Sequence, residues 1–384
     1  MASLQARHSR NCALGKSWTT FGAAQKQRGC TCVPLYHVVI RHEGKLIREP
    51  VGQNRKEAER ALDARRGDVA RQTYRVVEDI AFDEWADRWL AGFTGKENSR
   101  RVYAITINAS KRVFGRTKVR DLRPADIRHL LERTRAERPT VSDATLAKHL
   151  RQLGACLQAA ITEGYATENP VRLLHKTARP RARKGAPSYY TDDELARLWP
   201  ELTERPVFLY LAKLAVATGM RFGELAALTW DDVDLLNREI HISATYTYGI
   251  GVQPPKSNQP RTVDLTPQAA ALMEQWLAES GGVGLIFERE VGGHLAPHYV
   301  TGPVLYPALA RAGIPRIGER GRKRDFHSFR HTFARIALEH GAEITWVQKQ
   351  LGHSSITLTV DTYGSWARTA EKAQAAKLAH AFPL

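Results

Sequence analysis

Asp325-Phe326-His327-Ser328-Phe329-Arg330-His331-Thr332-Phe333-Ala334 places a histidine and an arginine three residues apart. On a helix that spacing puts His327 and Arg330 on one face, and Phe326, Phe329 and Phe333 are available to anchor the other. A guanidinium and an imidazole donor can then converge on one phosphate. Working outward towards the N-terminus, Ala217-Thr218-Gly219-Met220-Arg221-Phe222-Gly223-Glu224-Leu225 ends one apolar helix and opens another. Arg221 therefore sits beside the backbone N–H groups of a helix start, an anion site; the alternative is a surface arginine paired with Glu224 three residues on. Outward on the other side, Gln350-Leu351-Gly352-His353-Ser354-Ser355 reads as a helix-ending glycine followed by a new N-cap, so His353 projects from a fixed turn. Ten residues beyond His353 stands Tyr363.

The whole chain has 384 residues and a formal charge of +17. Arginine dominates that excess, 41 against 16 lysines, and its planar fork grips phosphate with two parallel hydrogen bonds. A polyanion is the partner such a balance implies, and nucleic acid the prime polyanion. No apolar run approaches the roughly 18 residues of a membrane span, and no hydrophobic signal core follows the first ten residues. Cytoplasmic residence and no membrane partner are the expectation. Four cysteines are too few for a disulfide framework in a chain this long, which fits a reducing compartment.

The organisation expected along the chain is multidomain and mainly α. A basic tail over 1–32 precedes a small basic domain over 33–75, in which Tyr36–Arg41 and Leu46–Val51 form a hairpin and a helix follows Asn54 as N-cap. Residues 77–175 carry apolar positions at three- and four-residue spacing, as in Phe82, Trp85, Ala86, Trp89 and Leu90, and read as an all-α domain. Residues 176–186 combine proline, glycine and a run of positive charge into a basic linker. The remainder, 187–384, is a mixed, mostly α unit with a small antiparallel sheet, where Glu239–Ile242 pairs with Arg261–Leu265 around a polar tip. A short Ala-rich helix over Thr369–Ala381 closes the chain.

Four fragments, TGMRFGEL at 218–225, PPKSNQPRTVDL at 254–265, HSFRHTFA at 327–334 and LGHSSITLTVDTYG at 351–364, stand in the order and spacing of the tyrosine recombinase, or phage integrase, family, which this sequence resembles over about 190–370. The resemblance implies that Arg221 and Arg330 clamp a scissile phosphate. It matches His327 and His353 to the two motif histidines, Glu224 to the acidic brace of the first arginine and Tyr363 to the nucleophile. The catalytic lysine falls at the tip between the paired strands, and Lys256 is the only lysine between Lys213 and Lys323. By the same likeness 77–175 is a core-binding domain and 33–75 an arm-type DNA-binding domain. The implied partners are double-stranded attachment-site DNA, a homotetramer on paired sites with the terminal helix docked on a neighbour, and accessory DNA-bending or directionality proteins.

The chemistry is consistent with that assignment. Guanidiniums and imidazole donors can stabilise the charge gathered in a pentavalent phosphorus transition state without a metal or other cofactor. Cationic neighbours favour a tyrosine phenolate, and a lysine can protonate the departing 5′ oxygen. A covalent 3′-phosphotyrosine keeps the bond energy for rejoining, so no ATP is needed. The alternatives on the same scaffold are a catalytically silent DNA-binding protein and a type IB topoisomerase-like enzyme. Separately, His8, Cys12, Cys30 and Cys32 offer four ligands of suitable softness for zinc, though Cys–x–Cys is not the usual structural spacing.

Overall fold

The computed structural model describes every residue except 1, 9–11, 13–17, 21–31, 43, 72–76, 182–186, 256–258, 319–320 and 378–384, with backbone alone for 18–20, 42 and 367–377. The chain divides into two compact units, Met1–Ala182 and Arg183–Leu384. Among the described residues no helix is long and apolar enough to cross a membrane.

The first unit begins with an antiparallel sheet in the order Trp18–Thr20, Ala2–Arg7, Leu35–His42, Lys45–Gly52. The expected tail over 1–32 thus needs correction, because Ala2–Arg7 is a strand registered against Leu35–His42 from Ala2 opposite Ile40 to Arg7 opposite Leu35. Its buried residues, Leu4 and Ala6, alternate with outward ones, a pattern too short to stand out in sequence. Helix Arg55–Ala70 starts at Asn54, whose side chain accepts from the backbone N–H of Lys56 and Glu57, and packs Ala58 and Leu62 on Leu4, Val38 and Ile40.

Helices Phe82–Ala91, Glu97–Phe114, Pro124–Glu137 and Asp143–Thr162 follow around a separate core that includes Phe82, Trp85, Ile107, Ile127, Leu146 and Leu153. Trp85 is fully buried and gives its indole N–H to the Cys156 carbonyl at 3.2 Å, which satisfies the one polar atom of the ring. Part of the expected linker is folded rather than extended. Lys176–Ala178 forms a 3₁₀ turn, and the Arg179 guanidinium donates to the carbonyls of Val171, Arg172 and Leu174.

In the second unit, Thr191 and Glu194 form a reciprocal capping box at the start of helix Asp192–Leu198. Glu194 also takes the buried Arg324 at 2.7 and 2.9 Å, fixing the strand of chain that leads into His327. The apolar helix Pro206–Thr218 packs against helix His327–Glu339, which in turn packs on Ile356–Lys377. Glu239–Ile242 and Arg261–Asp264 pair with Ile240 opposite Val263, both fully buried, and Val233–Asp234 flanks them. The polar stretch between those strands contains its own hairpin, Thr245–Thr247 with Gly251–Gln253. The terminal helix also needs correction: it is no separate element from Thr369 but the continuation of Ile356–Lys377.

One glycine sets the geometry at the junction of these helices. Gly219 ends Pro206–Thr218 in the left-handed region at φ 68°, and a Cβ there would lie 2.4 Å from Phe333 Cδ1 and 2.8 Å from Leu351 Cδ2. Three helices therefore approach through a position that tolerates no side chain. Gly219→Ala should destabilise the unit by more than about 2 kcal/mol, a left-handed penalty of about 1–2 kcal/mol plus the overlap. Urea unfolding reads this, and a cost below half that figure would show that the helices can separate freely here.

Candidate active site

Helix Ile344–Leu351 ends at Gly352, left-handed at φ 61°, and leaves its last carbonyls pointing along the axis. Three arginines from three other segments take three successive carbonyls. Arg261 Nε donates to Gln350 at 3.2 Å, Arg330 Nη2 to Leu351 at 2.7 Å and Arg221 Nη2 to Gly352 at 3.0 Å. Arg330 Nη1 further donates to the Gly219 carbonyl at 2.6 Å. Glu224, only 2% exposed, accepts from Arg221 at 2.9 Å and from both ends of the Arg261 fork at 2.8 Å, and also caps the Arg221 backbone N–H. The surface ion pair that the sequence left open for Arg221 is instead part of a buried network.

Helix His327–Glu339 presents His327 and His331 one turn apart on the same side, their rings 4.7 Å apart edge to face. Phe326, Phe329 and Phe333 are buried on its other sides. His331 Nδ1 lies 2.8 Å from the Tyr363 hydroxyl. Tyr363 is 1% exposed, its ring between His353 at 6.1 Å and Trp366 at 5.3 Å, close to parallel with both. His353 is steadied through Nδ1 by the Thr359 hydroxyl at 2.9 Å. The structure thus brings Arg221, His327, Arg330, His353 and Tyr363 together. Lys256 lies outside the described residues, just beyond the hairpin Thr245–Thr247 and Gly251–Gln253.

Residues 191–368 match the model of the phage integrase family. Over that region the chain is similar to the tyrosine recombinases. Among its relatives is the prophage integrase IntR of Escherichia coli K12, 28% identical over 62% of this chain and 61% of that protein. The ICEBs1 integrase of Bacillus subtilis 168 is 24% identical over 87% of this chain and 93% of its own length. Solved structures share the fold: the Tn1549 transposon integrase in complex with a circular intermediate DNA has a TM-score of 0.64 at 18% identity, covering 79% of this chain and all of that one. The lambda integrase tetramer bound to a Holliday junction has a TM-score of 0.59 at 19% identity, covering 85% of this chain and 91% of that one.

Electrostatics at this site follow from burial and from the crowd of like charges. Burial pushes the Glu224 carboxyl up, but hydrogen bonds and charge from Arg261, with Arg221, win and bring it to about 2. Arg330 falls to about 9 through burial and then repulsion from Arg221, so it stays charged at neutral pH, and its buried Nε has no hydrogen-bond partner among the described residues. Burial, then neighbouring positive charge, lowers His331 to about 3 and His353 to about 4. His327 keeps an exposed edge, yet the protein packed behind it and Arg330 draw it below the usual imidazole range. For Tyr363 the sequence-based expectation of a favoured phenolate is reversed: burial raises its pKa, and the opposing pull of Arg330 and Arg221 is smaller.

Two residues of this cluster had weaker signals. Arg261 stands in the RTVDL fragment, but nothing local says that it meets Glu224, 37 positions away. His331 was visible as the fourth residue after His327, one turn on along the same face.

A pH test follows. Above about 6.5 the histidines are neutral in both folded and unfolded chains. Below it the unfolded chain takes up protons that folded His353 and His331 refuse until about 4 and about 3, so stability falls as pH drops through that window. Glu224 acts lower, its contribution holding above about 4.5 and fading towards about 2. Thermal melts from pH 7 to 4 should decline less steeply for the double variant His331→Asn, His353→Asn than for the parent chain; equal slopes would place the acid sensitivity elsewhere.

Proposed function

We propose that this protein is a site-specific DNA recombinase of a mobile element, the integrase of a phage or integrative element. The observation that carries the reading is the charge of the pocket. Three guanidiniums face one carboxylate and a helix C-terminus worth about half a negative charge, which leaves the site roughly 1.5 charges positive beside a tyrosine hydroxyl. Such a pocket fits a phosphodiester and the extra negative charge of its transition state.

Arg221 and Arg330 hold the scissile phosphate, each with donors left after its backbone anchors are made. Arg261 braces Glu224 and through it Arg221. His327 and His353 supply imidazole donors at the rim. Tyr363 attacks phosphorus and the 5′ oxygen leaves, giving a 3′-phosphotyrosine; attack by a 5′ hydroxyl reverses the step on a new strand. His331 Nδ1, neutral and 2.8 Å from the phenol, receives the proton as the new bond forms, and the bound phosphate raises its basicity. Lys256 protonates the leaving 5′ oxygen.

Double-stranded DNA is the partner, gripped outside the pocket by the large positive excess. The likeness to the lambda integrase tetramer supports a tetramer on paired sites. The helical region 77–175 serves as core-binding domain, the sheet before it as arm-type DNA-binding domain, and the cytoplasm is the compartment where the DNA lies.

A nicked suicide substrate that loses its 5′ fragment tests the central claim. The parent chain should accumulate a covalent adduct stable to denaturant, and Tyr363→Phe should lose it while binding DNA within about threefold. An adduct formed by the phenylalanine variant removes Tyr363 from the role. For Lys256, a 5′-bridging sulfur at the scissile position should restore cleavage to Lys256→Ala, because a thiolate leaves without a proton. Failure of that rescue assigns the proton to another group.

A further inference from the structure

The N-terminal sheet carries a second cluster that the recombination chemistry does not use. Among the described residues, His8, Cys12 and Cys32 form the one group of histidine, cysteine or acidic side chains whose ligand atoms converge, all within 4.8 Å of one another. His8 Nδ1 lies 3.3 Å from Cys32 Sγ and 3.9 Å from Cys12 Sγ.

Strand register explains the meeting. Arg7 pairs with Leu35 on one side and with Trp18 on the other, and these are the last pairs at that end of the sheet. His8 therefore leaves the sheet where the chain bearing Cys32 enters it, and Cys12 lies in the connection that runs from Arg7 to Trp18. The contact between His8 and Cys32 spans 24 positions, so no local turn demands it.

We propose that His8, Cys12 and Cys32 bind a zinc ion that staples this end of the sheet. Zinc–sulfur bonds near 2.3 Å and zinc–nitrogen bonds near 2.0–2.1 Å at a tetrahedral angle put sulfur and nitrogen ligands about 3.6 Å apart. The two His8–cysteine separations lie on either side of that value. A mixed set of two thiolates and one imidazole suits zinc, whereas magnesium and calcium require oxygen. On binding, two S–H bonds give way to two Zn–S bonds, two protons pass to solvent, and the neutral imidazole contributes its lone pair. Coordination leaves the His8, Cys12 and Cys32 cluster neutral, and a further donor or water completes the fourth position.

The small sheet has reason to hold a metal. Among the described residues its core cluster holds five buried apolar residues, Leu4, Val38, Ile40, Ala58 and Leu62, a small core for a four-stranded sheet with one helix. Zinc would fix the ends of two strands and the connection between them in one closed unit.

Metal analysis of the full chain, purified without chelator, should find about one zinc per chain, and Cys12→Ser with Cys32→Ser should lower it at least tenfold. Cys156→Ser, whose sulfur lies in the helical core, should keep the metal. Because the double variant can misfold, cobalt(II) exchanged into the parent chain gives a separate reading: thiolate-to-cobalt charge-transfer absorption and the visible bands of a tetrahedral site. Absence of zinc after incubation with excess metal and desalting overturns the proposal, as do octahedral cobalt bands or full zinc retention by the double variant.

Discussion

Gln350, Leu351 and Gly352 end a helix with three carbonyls in succession, and each holds a different arginine. Glu224 and the Gly219 carbonyl bind the same arginines around that contact. Like-charged guanidiniums repel one another, and bringing three of them together in a partly buried pocket needs fixed negative charge nearby. The helix end supplies a partial charge that cannot move or titrate, and Glu224 supplies a full one.

That arrangement constrains the backbone as strictly as it does the side chains. Gly352 must be left-handed to close the helix, and a Cβ on it would come within 2.8 Å of Arg261 Nε. Gly219 is left-handed for the same kind of reason and offers its carbonyl to Arg330. The two glycines let four segments distant in sequence share one small volume. Burying Glu224 alone would be costly. With Arg221 and Arg261 both attached, the carboxylate stays ionised well below its usual range.

Tyr363 sits under a different constraint. Its ring belongs to a small cluster with Phe333, Leu338, Val347, Leu351 and Trp366, apart from the main core of the unit. Packing there holds the phenol in place and also raises its pKa, since burial disfavours the phenolate more than the arginines favour it. The same burial keeps His331 and His353 neutral, which makes them able to exchange protons and hydrogen bonds near neutral pH. Precise placement and lowered reactivity therefore come from one cause.

Short-range physics explains what was legible in the sequence. Asn54 as a helix cap, the apolar stripe through Trp85, the pairing of Glu239–Ile242 with Arg261–Leu265 and the shared face of His327 and Arg330 all depend on neighbours a few residues apart or on simple alternation. So the mainly α multidomain fold and the motif residues could be read directly, and five of them meet in one place. The remainder depended on contacts that no local pattern encodes. Arg221 meets Gly352 across 131 positions, Arg330 meets Gly219 across 111 and Arg261 meets Gln350 across 89. Ala2–Arg7 is too short a strand to announce itself, and the meeting of His8 with Cys32 follows from its register. The direction of the Tyr363 shift depended on how much protein covers the ring. The sequence by itself determined which groups are present and which helices and strands carry them. Only the tertiary structure decided which carbonyls anchor the arginines, which histidine holds the tyrosine and how burial sets their charge, because long-range packing and desolvation exist only once the chain has closed on itself.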